Sequence, residues 1–368
     1  MMAEPIRVAQ VMGYMNGGGV ESVVMNYYRH IDRNKIQFDF LVCEGSTMVP
    51  EDEIDSLGGG LYMLPPYSDL IGYQRAVFHL CSERGWPLVH SHMNSLSVIP
   101  LSAAKKAGVP VRIAHSHSTS GKGEYAKNVL KRILRTQANR YPTERLACSR
   151  AAGEWLFGSS GKFEVLYNAF DLNRFILDPV TREKTREECG IGANQLAVLH
   201  VGRFMTQKNH GFLIDAFNCL ADQGVDAILI LVGEGEGRPA IEAKVRGLGL
   251  EDQVLFLGQR DDVEKLYMAA DVFVLPSLYE GLGMVAVEAQ VAGLPCFLSD
   301  VITREVDVSG ACQFLPIDNY RKWATELGRI HLGERLAVNR DSFSHYEICT
   351  SARVLTEFYI EKYKEAFD

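Results

Sequence analysis

LAVLHVGRFMTQKNHGFLIDAF, residues 196–217, carries the transition that decides the fold. Its first part is a near-continuous apolar run. That suits a strand buried on both faces, and the strand is expected over 196–204. A helix fits near 208–223. Arg203 leaves the end of the strand and Lys208 stands five residues on, at the helix start. A strand feeding directly into a helix is the repeating unit of an α/β fold with a parallel sheet.

The same alternation extends in both directions. Downstream, strands are expected over 227–235, 253–259, 271–277 and 296–300, with helices near 237–248, 261–270 and 284–293. Upstream, strands are expected over 6–12, 38–43, 87–92, 111–117, 145–149 and 163–169. Val20, Val23, Val24, Tyr27 and Tyr28 follow the spacing of an amphipathic helix. Two such series imply two facing, doubly wound, Rossmann-like domains, 1–170 and 171–350, with a ligand cleft between them. The polar stretch 171–195 reads as the join. The amphipathic end, 351–368, is expected to pack back on the first domain.

Bulk properties exclude several classes. The 368 residues are 47% hydrophobic and 23% charged, enough apolar material for two cores. A net charge of -8 argues against a nucleic-acid partner. The eight cysteines are scattered without a C-x-x-C pair, so neither a disulfide framework nor a zinc site is expected, and a reducing cytosol suits them. No run reaches the roughly 18 to 20 apolar residues of a membrane span. The expectation is a cytoplasmic protein. One segment, 122–140, is a basic amphipathic helix suited to anionic lipid at the inner face of a membrane, although a solvated face explains it as simply.

Four further stretches carry chemistry. GYMNGGGVESVV (13–24) places three glycines between a strand and a helix, where the backbone can approach an anion closely. Arg203 and Lys208, at a strand-to-helix switch, suit a diphosphate. In LYEGLGMVAVEAQVAGLPCFLSD (278–300), Glu280 lies just before a helix starting near Met284 and Glu288 lies one turn inside it. The amides of Gly283, Met284 and Val285 are orphan donors there. The alternative is that Glu280 caps the helix and Glu288 makes a buried salt bridge. His90, His92, His115 and His117 form two H-x-H pairs, each able in principle to bind a metal. With no acidic or cysteine ligand nearby, one or two imidazoles lining the cleft is the better reading, with the others packed or capping.

These residues together resemble the retaining nucleotide-sugar glycosyltransferases of the GT-B fold, specifically family 4. Glu280 and Glu288 are similar to that family's E-x7-E motif, and VGRFMTQKN to its phosphate clamp. NGGGVE is similar to its glycine loop, and LYNAFDLNRF to its hinge, with Ala169 in place of the usual glycine. The resemblance implies that Arg203 and Lys208 bind the donor diphosphate, Glu280 the sugar and Glu288 the ribose. It further implies donor contacts at Gly18, Gly19, Gly258, Arg260, Gly283, Met284 and Val285. His117, with His115 as the alternative, would approach the sugar. Asn16, Gly17, His92, His115 and Asn168 become acceptor-side candidates. There is no D-x-D motif, so no metal or cofactor is expected, and the nucleotide-sugar is a co-substrate. The implied activity is retaining transfer of a hexose from a UDP-sugar to a glycan or lipid-linked acceptor in surface polysaccharide synthesis. A nucleotide-sugar epimerase on the same fold, or a non-catalytic partner subunit, is the alternative. A glycosidase using both glutamates would leave Arg203 and Lys208 idle.

Overall fold

In the computed structural model, which describes residues 4–117 and 133–368, the apolar runs become the strands of two parallel sheets, one in each of two units. The first unit is built from the N-terminal residues to Phe170 together with His345–Asp368, and the second from Asp171–Ser344. Each is described separately.

The first sheet contains β1 (Ile6–Gly13), β2 (Ile36–Cys43), β3 (Gly60–Leu64), β4 (Leu88–Ser91), β5 (Val111–Ser116), β6 (Glu144–Ala147) and β7 (Glu164–Val165), in the order β3-β2-β1-β4-β5-β6-β7. Alternation along the strands sorts side chains to the two faces. Val8, Phe38, Phe40 and Ile113 pack under the helices Gly19–His30 and Ile348–Phe367. Ala9, Val11, Leu41 and Val89 pack on the other face, with Tyr73, Val77 and Leu101. Each such large apolar side chain contributes about 1.5–3 kcal/mol when fully buried.

The second sheet contains β8 (Leu196–Val201), β9 (Ala227–Val232), β10 (Val254–Gly258), β11 (Val272–Leu275), β12 (Cys296–Ser299) and β13 (Cys312–Leu315), in the order β10-β9-β8-β11-β12-β13. Val198, Leu229 and Val274 share a core with Leu213 and Phe217 of the helix His210–Asp222, and with the fully buried Trp323.

Several expectations are corrected. Strands β3 and β13 were not foreseen, because both are short and only partly buried, so their apolar pattern is weak. The strand expected over 163–169 shrinks to Glu164–Val165. The stretch 171–195 is no linker. Its helix Pro179–Glu188 carries Arg182 and Arg186, which both pair with the fully buried Asp271, at 2.5 and 3.1 Å. The chain returns to the first unit at His345 rather than at 351. Phe170 N–H donates to Tyr346 O at 2.9 Å, Ile348 N–H donates to Phe170 O, and the Tyr167 and His345 rings stack.

Among the described residues no helix is long and apolar enough to cross a membrane. Lys122, Lys127, Lys131 and Arg132 of the basic segment lie outside the described residues. Arg135 lies within them, and its guanidinium stands over the Trp155 ring.

Candidate active site

In the second sheet the chain runs outward from β8 through β9 to β10 on one side, and through β11 to β13 on the other. The carboxyl ends of β8 and β11 therefore flank the point where the winding reverses, which is where open α/β sheets bind ligands. The loops leaving those two strands hold Arg203, Lys208 and Glu280.

Contacts between the two loops are dense. Lys208 Nζ pairs with Glu280 Oε1 at 2.7 Å, both side chains being largely buried. Gln207 Nε2 donates to Glu280 Oε2 at 3.2 Å and to Tyr279 O at 2.9 Å. Asn209 Nδ2 donates to Pro276 O, and Leu278 N–H to Gln207 O. Arg203 differs from its neighbours. It is exposed, and among the described residues no hydrogen bond or ion pair holds its guanidinium. Behind it, Gly233 lies with φ +135, and a Cβ there would stand 2.4 Å from Gly202 O, so only glycine lets this loop seat.

The helix Met284–Val291 starts at Gly283, which has φ +91 and no side chain of its own to cap with. Glu280 is the partner of Lys208. Glu288 makes no salt bridge among the described residues. Its Oε2 accepts from the Tyr267 hydroxyl at 2.9 Å, and that hydroxyl also lies 3.0 Å from Val285 O. Burial pushes the Glu288 carboxyl up to about 7, against the opposing effect of the Tyr267 hydrogen bond. Such a carboxylate is short of donors, and a ligand offering hydroxyls would supply them. Tyr267 and Gln207 are site residues that the sequence did not single out: Gln207 lies unmarked inside the VGRFMTQKN stretch, and Tyr267 lies outside every motif.

Other expected site residues are held by the protein itself. Arg260 forks onto Asp262 with two 2.8 Å contacts, and Gly258 O accepts from Gly233 N–H. In the first unit, Asn16 Oδ1 accepts from Thr47 N–H at 3.0 Å and from its hydroxyl at 3.1 Å. Of the three glycines at the end of β1, only Gly17 takes a positive φ. Gly18 N–H donates to Glu21, and Gly19 is the first residue of its helix. This loop and His92 leave the carboxyl ends of β1 and β4, the switch point of the first sheet.

The two H-x-H pairs form one cluster. His90 and His92 on one side meet His115 and His117 on the other, because β4 and β5 pair in parallel. His90 Nε2 lies 3.1 Å from His115 Nδ1, and His92 Nδ1 lies 2.9 Å from His117 Nε2. Tyr359 of the terminal helix reaches His90 Nδ1 at 2.6 Å, and Gln10 Oε1 reaches His92 Nε2 at 2.8 Å. None of the four rings is more than 7% exposed. Burial pushes all four down from the usual histidine range, His117 to about 3, so they are neutral at pH 7. All four imidazoles are buried in the first unit. No local spacing could have pointed to Tyr359 or Gln10.

Both sheets, with a cation-bearing loop at one switch point and a glycine loop at the other, define a GT-B glycosyltransferase fold. HepE of Anabaena, solved in complex with UDP-glucose, shares that fold, with a TM-score of 0.73 over 98% of each chain at 21% identity. Sequence comparison narrows the class. The family model of glycosyl transferases group 1 matches residues 181–311, and that of glycosyltransferase family 4 matches residues 17–174. EpsF of Bacillus subtilis (strain 168), named as a glycosyltransferase, is 39% identical over 314 residues, which is 82% of this chain and 81% of EpsF. The UDP-Gal:alpha-D-GlcNAc-diphosphoundecaprenol alpha-1,3-galactosyltransferase of Escherichia coli is 26% identical over 80% of each chain. The chain belongs to the group 1, family 4 glycosyltransferases.

Proposed function

We propose that the protein transfers a hexose, with retention of anomeric configuration, from a UDP-sugar to a glycan or lipid-linked acceptor in surface polysaccharide synthesis. The observation that carries this reading is the exposed Arg203, unpaired among the described residues, beside the Lys208–Glu280 pair at the β8/β11 switch point. Breaking the bond between sugar and diphosphate leaves negative charge on the departing phosphate. Arg203, Lys208 and the start of the helix Met284–Val291 act where that charge develops. One such group is commonly worth about 10²–10³ in rate. With those groups in place, the transfer needs no divalent cation at the diphosphate. Glu280 positions sugar hydroxyls, and Glu288 accepts from the ribose. A UDP-sugar donor and a diphospholipid-linked acceptor are supported by the name of the galactosyltransferase reported above, which is 26% identical to this chain. Contact of the basic segment 122–140 with anionic membrane belongs to the same proposal.

The test is a panel of UDP-, GDP- and ADP-sugars, each with free and lipid-linked glycan acceptors. Nucleotide release, thermal shift and the product's anomeric configuration by NMR are followed. UDP-sugars should stabilise and turn over with retention, added Mg²⁺ or Mn²⁺ should leave the rate unchanged, and anionic vesicles should co-sediment the protein. No stabilisation by any nucleotide-sugar would sink the reading.

A further inference from the structure

The buried histidine cluster of the first unit has a geometry that calls for an explanation of its own. His90, His92 and His115 each offer a ring nitrogen within 4.8 Å of the other two. We propose that they bind one divalent transition-metal ion, Zn²⁺ being the best match, through His90 Nε2, His92 Nδ1 and His115 Nδ1.

Four observations support these atoms. The opposite edges of two rings already have partners, Tyr359 for His90 and Gln10 for His92. A metal-bound imidazole characteristically donates its other N–H to such an oxygen, which fixes ring orientation and tautomer. Next, a tetrahedral ion with bonds of about 2.0–2.1 Å places its ligand nitrogens roughly 3.3 Å apart. His90 Nε2 and His115 Nδ1 are 3.1 Å apart, so that edge of the tetrahedron is nearly formed.

The third observation is that His115 Nε2, His117 Nδ1 and Asn168 Oδ1 are buried without a hydrogen-bond partner of good geometry. A fourth bond from His117 to the ion would account for His117 Nδ1 and Asn168 Oδ1, and leaves His115 Nε2 unpaired. The fourth coordination position falls on the side of His117, whose Nε2 lies 2.9 Å from His92 Nδ1. With His117 Nε2 turned to the ion, its proton moves to Nδ1. Asn168 Oδ1, a buried acceptor without a partner among the described residues, would be available to that proton. Finally, a small cavity of about 10 Å³, lined by the four rings and by apolar side chains such as Val24, Phe38 and Leu355, leaves the rings room to shift toward an ion. Neutral imidazoles without a carboxylate suit zinc-like ions and disfavour Mg²⁺ and Ca²⁺.

The experiment uses untagged full-length protein, stripped with chelator, dialysed and offered Zn²⁺, Co²⁺ or Mg²⁺. Zn²⁺ retained after gel filtration should reach one ion per chain, and Mg²⁺ should not be retained. The Co²⁺ form should show the visible bands of a tetrahedral nitrogen site without a thiolate charge-transfer band. His115→Gln should weaken Zn²⁺ by at least about a hundredfold, and the exposed His79→Gln should not. Absence of stoichiometric Zn²⁺ in the stripped and re-offered protein overturns the proposal. A thiolate band overturns it too, by moving the ion to cysteines. The wild-type Co²⁺ spectrum decides the matter even if His115→Gln fails to fold.

Discussion

Donor binding should release a proton from Glu288. In the free protein its carboxyl is pushed up to about 7, chiefly by burial. Two ribose hydroxyls donating to it would favour the charged form and draw the pKa toward the ordinary value of about 4.3. The sign follows. Binding is favoured when Glu288 is already ionised, so it is strongest above pH 7 and weakens as pH falls through 7. The ionised fraction is about 0.9 at pH 8, 0.5 at pH 7 and 0.1 at pH 6, so the apparent Kd should rise about tenfold from pH 8 to pH 6. Titration calorimetry with a UDP-sugar, in buffers of different ionisation enthalpy, should read about half a proton released at pH 7 and nearly one at pH 6. A nucleotide-sugar is the right probe because its diphosphate has no proton to lose in this range. The buried His200 and His210 are pushed below the usual histidine range, His210 to about 4, and stay silent. Glu288→Gln should bind more weakly and without pH dependence. A wild-type Kd constant from pH 8 to pH 6, with no proton released, would refute the assignment of Glu288 to the donor.

The other predictions concern the same loops and their supports. Glu288→Gln should raise Tm at pH 8, with a smaller gain at pH 6. The folded carboxyl holds its proton above its unfolded pKa, so wild-type stability falls as pH rises from about 4.3 to 7. Arg203→Ala should leave stability within about 0.5 kcal/mol while kcat/KM for the donor drops about 10²–10³-fold. Lys208→Ala should lose comparable activity and also up to about 3 kcal/mol of stability, since it strips the ion partner from a buried Glu280. Denaturant melts alongside kinetics separate the two. Tyr359→Phe should cost about 1–3 kcal/mol, read by the same melts, because the phenol hydroxyl meets both Gln10 and His90 in the core.

Much of the fold was legible because parallel strands buried on both faces leave a local mark. β9 and β11 are apolar throughout and β8 is interrupted only by the buried His200, and their helices follow. β3 and β13 were missed because edge strands bury little and need little apolar sequence. The stretch 171–195 misled because its polar residues look solvated. Arg182 and Arg186 instead spend their charge on Asp271 and on main-chain carbonyls such as Ala269 O. Arg203, Lys208, Glu280 and Glu288 were legible as positions, since motif spacing is local, but their partners were not.

The sequence by itself determined the α/β class, the order of the elements and the residues that stand at the strand ends. Those depend on burial pattern and spacing over a few turns of chain. Only the tertiary structure decided what those residues meet. Lys208 finds Glu280 72 positions away, Glu288 finds Tyr267 21 positions back, and His90 finds Tyr359 269 positions on. The register of β4 against β5 turned two separate H-x-H pairs into one buried cluster. Such pairings are set by strand order and register, which arise from the packing of the whole core and leave no trace in local spacing.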